Sequence, residues 1–194
     1  MTDEPIQFRT NVDRILLNRD VDLKEDDTVN VYGFGQGSGD YLGLAIMKVE
    51  NYERCQEIYN NQSIKKRKSE FCLKVEHSDA GRRDSGGPVV YKNDILVGII
   101  SRGEAHTNDL KVNPNSKPGI YVDVKAKMRW IKNTISENQN LFGKDSLLDE
   151  INNQKLATTK QKYIEIHHKN HPNFYCKGFA ISQNWILTRA SCVK

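Results

Sequence analysis

The sequence predicts an antiparallel all-β fold, a barrel or a sandwich, interrupted by two helices. Three observations carry this expectation. Short apolar, β-branched runs recur between residues 29 and 123 with turn residues between them. Two stretches place apolar residues at helical spacing behind a capping side chain, and β-character returns near the end after a long polar stretch.

In chain order, residues 29–32 and 42–49 read as the first strands. Asn51 then caps a short helix carrying Tyr52, Cys55 and Ile58. Residues 89–91, 95–100 and 120–122 are further strands, each short, rich in Val and Ile, and bounded by Gly, Pro, Asn or Asp. Asp123 caps a longer helix in which Val124, Met128, Ile131 and Ile135 share one face. That helix closes the first unit. Residues 136–162 are dominated by Asn, Gln, Lys and Asp with few apolar anchors, and read as a connection. Residues 163–166, 174–181 and 185–188 are three more strands. Three strands are marginal as an independent fold, so loose packing is expected of them.

At 194 residues the chain accommodates one filled core, or one plus a fragment. Its net charge of +4 is mild and its basic residues are interleaved with acidic ones, which argues against a nucleic-acid partner. No apolar run reaches the length of a membrane span, and residues 1–5 do not open a signal peptide. Lys65-Lys66-Arg67-Lys68 reads as a solvated loop. His167, His168 and His171 lack the registry of a metal site, and neither a metal nor a cofactor is expected. Gly33, Gly35, Gly37 and Gly39 alternate strictly, which suits turns and not a phosphate loop. Cys55, Cys72, Cys176 and Cys192 fall into two distant groups with no two-residue spacing, so two disulfides are expected. Of the three possible pairings, Cys55 with Cys72 and Cys176 with Cys192 is favoured. Such bonds imply an oxidising, extracellular compartment.

Gly81-Arg82-Arg83-Asp84-Ser85-Gly86-Gly87-Pro88 is a glycine-dense turn feeding directly into the strand Val89-Val90-Tyr91. A nucleophilic serine needs such a turn, because its hydroxyl must stand clear while backbone N–H groups point at the developing oxyanion. By themselves, Asp84-Ser85-Gly86-Gly87 are more often an ordinary hairpin. Their surroundings decide otherwise. Asp84-Ser85-Gly86-Gly87-Pro88 resembles the nucleophile motif of the chymotrypsin-like serine endopeptidases, and the resemblance extends over nearly all of residues 4–135. The stretch from Ile95 to Ser101-Arg102-Gly103 resembles the family's next strand and its Ser-Trp-Gly segment. Pro118-Gly119-Ile120-Tyr121-Val122 is similar to the Pro-Gly-Val-Tyr segment behind the specificity pocket, and Trp130-Ile131 to the closing helix. Gly33-Phe34-Gly35 resembles the Gly-Trp-Gly turn that opens the second barrel, and Cys55 and Cys72 fall where the family has a disulfide.

This resemblance implies a trypsin-like second β-barrel, antiparallel and Greek key, with a C-terminal helix. It assigns Ser85 as the acyl-forming nucleophile and Asp84 as the carboxylate that pairs with a new N-terminal ammonium on zymogen activation. Asp79, six residues before Ser85, becomes the floor of the primary specificity pocket, and Ser101, Gly103 and Gly119 its lining. An acid at that floor implies protein or peptide substrates with Lys or Arg, or protease partners, without nucleic acid or membrane.

Departures are equally informative. The family's triad His and Asp lie upstream of the matched region: Glu4-Pro5-Ile6-Gln7-Phe8 and residues 12–17 resemble the segment just after the triad Asp. His77, eight residues before Ser85, is no substitute. Gly81 stands where the family has a cysteine, and Arg83 replaces the glycine whose N–H joins that of Ser85 in the oxyanion hole. Losing one such donor costs on the order of 10²–10³ in rate.

The tail resembles the start of a second copy. Phe174-Tyr175-Cys176-Lys177-Gly178-Phe179-Ala180-Ile181 is similar to the family's Phe-x-Cys-Gly-Gly-x-Leu-Ile strand. Trp185-Ile186-Leu187-Thr188-Arg189-Ala190-Ser191-Cys192 is similar to the segment that carries the triad His, with Ser191 at the His position. A hydroxyl there is no general base at neutral pH. The expected organisation is therefore the C-terminal portion of a protease domain over 1–135, a linker over 136–150, and the N-terminal fragment of a second, degenerate domain over 151–194. The expected function is peptide-bond hydrolysis after Lys or Arg through Ser85, catalytically incomplete in this chain. The alternative is a non-catalytic homologue acting as an extracellular binding module.

Overall fold

The computed structural model describes residues 6–7, 14–35, 42–60, 67–75, 79–81, 84–92, 95–103, 117–138, 163–168, 171–182 and 185–188. Arg82, Arg83, His77, Ser191 and Cys192 lie outside these residues, as do Lys65 and Lys66 and most of the expected linker.

Among the described residues ten strands and two helices follow in the order β1 (Leu16–Leu17), β2 (Thr28–Gly33), β3 (Gly43–Lys48), α1 (Tyr52–Asn60), β4 (Glu70–Leu73), β5 (Pro88–Tyr91), β6 (Ile95–Arg102), β7 (Gly119–Asp123), α2 (Val124–Glu137), β8 (Tyr163–His168), β9 (His171–Ala180) and β10 (Ile186–Thr188). The main sheet runs β3-β2-β5-β6-β7-β4. It curls back on itself: Val49 bridges Leu73, Glu50 N–H donates to the Cys72 carbonyl at 3.0 Å, and Lys74 N–H to the Lys48 carbonyl at 2.8 Å. Because β5 lies beside β2 and not beside β4, the strand order is that of a Greek key. The protein is mostly β, as the sequence predicts.

Both expected caps form. The Asn51 side chain accepts from Arg54 N–H at 3.1 Å, and Asp123 accepts from Lys125 N–H at 2.8 Å and Ala126 N–H at 3.3 Å. The four apolar residues of α2 at helical spacing, Val124, Met128, Ile131 and Ile135, are its buried ones. Cys55 of α1 and Cys72 of β4 are disulfide-bonded and sit with Tyr59 and Ile120 in a small core of their own.

Two strands were not anticipated. Glu70–Leu73 is a β-strand although it opens with a glutamate and follows a basic run, because pairing with β7 and the disulfide override weak local preference. Leu16–Leu17 pairs parallel to β6, so the main sheet is not wholly antiparallel.

The expectation of loose packing for the trailing strands is overturned. Trp185 is only 9 % exposed, and Phe179, Ala180 and Ile181 are buried too. Phe179, Ile181 and Trp185 share one core with Ile15, Leu17, Val90, Leu96, Ile99 and the four buried residues of α2. Apolar area too small to support three strands alone is buried against a larger unit. No helix among the described residues is long and apolar enough to cross a membrane.

Candidate functional site

Ser85 sits half-buried at the turn that leads into β5. Backbone bonds fix that turn: Asp84 N–H donates to the Gly81 carbonyl at 3.3 Å, Gly87 N–H to the Asp84 carbonyl at 2.7 Å, and Gly86 N–H to the Ile100 carbonyl at 2.9 Å. Gly86 holds φ at 88°, a left-handed conformation that a side chain would disfavour. Gly87 is required for space, since a Cβ there would come within 2.7 Å of the Tyr32 carbonyl and 2.8 Å of that of Asp84. The serine is thus carried on an elbow tied to β2 and β6.

Asp84, the residue before it, is buried. Its Oδ2 accepts from Gly81 N–H at 2.9 Å, and its carboxylate fills the space where Gly33 and Gly35 would carry side chains. The Gly-Phe-Gly turn after β2 is therefore shaped around this acid.

Asp79 lies half-buried on the approach to the elbow, with Oδ1 accepting from Ala80 N–H at 2.7 Å. Opposite stands Tyr121 of β7, fully buried. Burial pushes its hydroxyl well above the usual phenol range, and the charges of Asp79 and Asp84 and a hydrogen bond to Asp79 push it further. The Met47 sulfur lies 3.8 Å from the same oxygen. Gly119 is pressed against this ring, since its Cβ would lie 3.0 Å from the Tyr121 oxygen. A Cβ on Gly103 would lie 3.3 Å from the Gly119 Cα, so the two glycines are neighbours across adjoining chain segments. Asp79, Gly103 and Gly119, chosen from the sequence, are thus linked through Tyr121. Ser101 lies one residue before Arg102 near the end of β6, and its hydroxyl accepts from the Arg102 guanidinium at 3.4 Å.

Tyr121 was not singled out as a site residue, and neither was Glu70. Tyr121 had a legible signal, its place two residues after Gly119 in an apolar strand. Glu70 had none, because its role depends on Arg102, which is remote in sequence. Its two oxygens receive both terminal nitrogens of that guanidinium at 2.7 Å. Among the described residues no cluster of His, Cys, Asp or Glu could hold a metal ion.

The trypsin family model matches residues 1–131. The chain belongs to the trypsin family. Trypsin epsilon of Drosophila erecta is 29 % identical over 138 residues, covering 68 % of this chain and 51 % of that protein. Human serine protease 1 is 42 % identical over 60 residues, covering 31 % of this chain and 22 % of that protein. The chain spans about half the length of the former. Mouse neuropsin, a serine protease of known structure, shares the fold at a TM-score of 0.52 and 24 % identity, over 62 % of this chain and 53 % of that one. The curled, mostly antiparallel sheet with its two helices matches the family's fold, and the Cys55–Cys72 bond is present.

Proposed function

We propose that the Ser85 elbow and Asp79 form the acylation and recognition parts of a serine endopeptidase site that takes protein or peptide substrates with Lys or Arg. The observation that carries this reading is the Ser85 turn, pinned by the Gly87-to-Asp84 and Gly86-to-Ile100 backbone hydrogen bonds in a chain of the trypsin family, with Asp79 six residues before it where the resemblance puts the pocket floor. A half-buried carboxylate favours a long cationic side chain over a neutral one. In this reading Ser85 Oγ adds to the substrate carbonyl, the amine leaves with a proton, and water later releases the acid. Asp84, Ser101, Gly103 and Gly119 keep the roles that the family assigns them. The backbone N–H groups of Arg83 and Ser85 serve the oxyanion.

Serine attack also needs a general base oriented by an acid. Without those partners only about 10³–10⁴ of enhancement over water survives from binding and the oxyanion hole. The disulfide supports an extracellular setting. A second reading, a non-catalytic homologue that binds protein partners, is favoured by Arg83 at an oxyanion position and Ser191 at a triad position.

A small aromatic amidine tests recognition without needing turnover. p-Aminobenzamidine should bind the chain with a fluorescence increase that Asp79→Asn removes. Equal binding by both proteins would sink the basic-residue preference. In a domain completed with the family's His and Asp, fluorophosphonate labelling that requires Ser85 supports the enzyme reading, whereas amidine binding without labelling supports the non-catalytic one.

A further inference from the structure

β6 is bonded to the Ser85 elbow at Ile100 and ends two residues later on Arg102. We propose that Arg102 is a specificity-determining residue that, together with Arg67, selects substrates carrying a carboxylate two or three residues from the bond that Ser85 attacks. The inference rests on the proteolytic reading and names a substrate class within it: peptides in which acidic residues flank the Lys or Arg.

The placement follows from the backbone. Gly86 N–H donates to the Ile100 carbonyl and Ile100 N–H to the Gly87 carbonyl, each at 2.9 Å. An extended chain advances roughly 3.4 Å per residue, which sets the Arg102 Cα about 7 Å beyond that contact. An extended peptide covers the same distance from the attacked carbonyl in about two residues, and the length of the arginine side chain allows for a third. Gly103, the next residue, is assigned to recognition in the proteolytic reading, so Arg102 is flanked by both parts of the site.

The guanidinium is fixed with its charge outward. From its place opposite Ile120 the Arg102 side chain reaches across β7 to β4, where two of its nitrogens lie 2.7 Å from the Glu70 oxygens. The Glu70 side chain is buried and that of Arg102 is partly exposed, so the pair is a dipole whose positive end faces solvent. Arg67 adds to it. Its backbone N–H donates to Glu70 Oε2 at 2.7 Å, its charge acts on the same carboxylate, and the residue is exposed. Two cations thus stand around one buried acid. Arg102 also takes the middle place of the segment similar to Ser-Trp-Gly, so this charge is a departure of the chain from its family. An acidic side chain brought to such a solvated rim gains up to about fivefold in affinity for each charge pair, and salt screens the gain.

Fluorescein-labelled Glu-Glu-Gly-Arg-Gly-Glu-Glu and its counterpart with Gln for Glu, titrated with the full chain and followed by anisotropy, test the selection. At low salt the Glu peptide should bind about fivefold more tightly, and the ratio should fall toward one at high salt. Glu70→Gln unmasks the guanidinium and should raise the ratio about twofold. Arg102→Ala would strand a buried carboxylate, so both charges are removed together: Glu70→Gln with Arg102→Gln should bring the ratio close to one. Arg67→Gln keeps the backbone N–H to Glu70 and should lower the ratio by about half. Equal affinities for the two peptides, while p-aminobenzamidine still binds in a manner that needs Asp79, would overturn this proposal alone. A Glu preference that survives both the double variant and Arg67→Gln would overturn it too. Amidine binding that is absent or indifferent to Asp79→Asn would remove the proteolytic reading, and this proposal with it.

Discussion

Glu70 and Arg102 form a two-armed ion pair across β4 and β6, with both carboxylate oxygens 2.7 Å from guanidinium nitrogens. The two partners differ in burial: the Glu70 side chain is 3 % exposed and that of Arg102 28 %. That asymmetry sets the outcome of truncation. Arg102→Ala leaves a buried carboxylate held only by the Arg67 N–H at 2.7 Å, and should cost about 3–5 kcal/mol. Glu70→Gln keeps one acceptor and leaves a cation that reaches water, so it should cost about 1–2 kcal/mol. Urea denaturation of both variants at neutral pH measures the difference, and equal losses would show that the burial asymmetry is irrelevant.

The same pair predicts acid sensitivity. Burial alone would raise the Glu70 carboxyl, but the hydrogen bonds from Arg102 and Arg67 outweigh it and hold the group below its ordinary 4.5. A depressed carboxylate gives the folded state stability that is present above the ordinary value and is lost as pH falls through the lower folded one. Wild type should therefore lose stability below about pH 4.5, and Glu70→Gln should flatten that part of the curve.

Asp123 behaves with the opposite sign. Burial raises its carboxyl above the ordinary 3.8 despite the Ala126 and Lys125 N–H groups that it caps. Between the ordinary and the raised value the folded state binds more protons than the unfolded one, so this group's contribution weakens as pH rises through that window. Asn caps a helix about as well as Asp and carries no charge to bury. Asp123→Asn should therefore cost less than Asp123→Ala, for which about 1 kcal/mol is expected. Thermal unfolding of both at pH 7 reads the order directly.

The helices were the most legible part of the fold. Asn51 and Asp123 announce their helices by side chains that can cap, and the apolar period behind Asp123 names all four residues that α2 buries. The strands in Val- and Ile-rich runs were equally plain. Glu70–Leu73 was hidden because its pairing to β7 and its ion pair to Arg102 join it to residues remote in sequence, Glu70 to Val122 in the one case and to Arg102 in the other. The seat of Asp84 was half legible: Gly33 and Gly35 were read as turn glycines, but not that their missing side chains make room for a carboxylate. The packing of Trp185 was invisible for a related reason. Local pattern reads residues 185–188 as a strand but cannot say which distant face receives it.

Tyr121 should resist alkaline titration. Its phenol is raised well above the ordinary 10.0, first by burial and then by Asp79 and Asp84. Ionisation is then harder in the folded state than in the unfolded one, so the stability this imparts is complete below pH 10 and is lost progressively above it. Ultraviolet titration should show a Tyr121 step that appears only with unfolding and disappears in Tyr121→Phe. A titration of Tyr121 near the ordinary value in the folded protein would contradict its burial against Asp79.

Gly98 offers a purely steric test of the barrel interior. It lies in the middle of β6, opposite Val89, and a Cβ there would fall 2.6 Å from Phe71 Cζ and 2.8 Å from Phe71 Cε1. Phe71 cannot simply step aside, because its ring is stacked on Tyr121 at a centroid distance of 5.7 Å. Gly98→Ala must therefore displace a ring that braces the tyrosine next to Asp79. An added methyl in a filled core costs about 1–3 kcal/mol. The displacement should also weaken amidine binding, whereas Gly98→Ala combined with Phe71→Leu should recover most of the lost stability by freeing the space. Melting temperatures and p-aminobenzamidine titrations of the single and double variants measure both effects, and additive losses would show that Gly98 and Phe71 do not compete for the same volume.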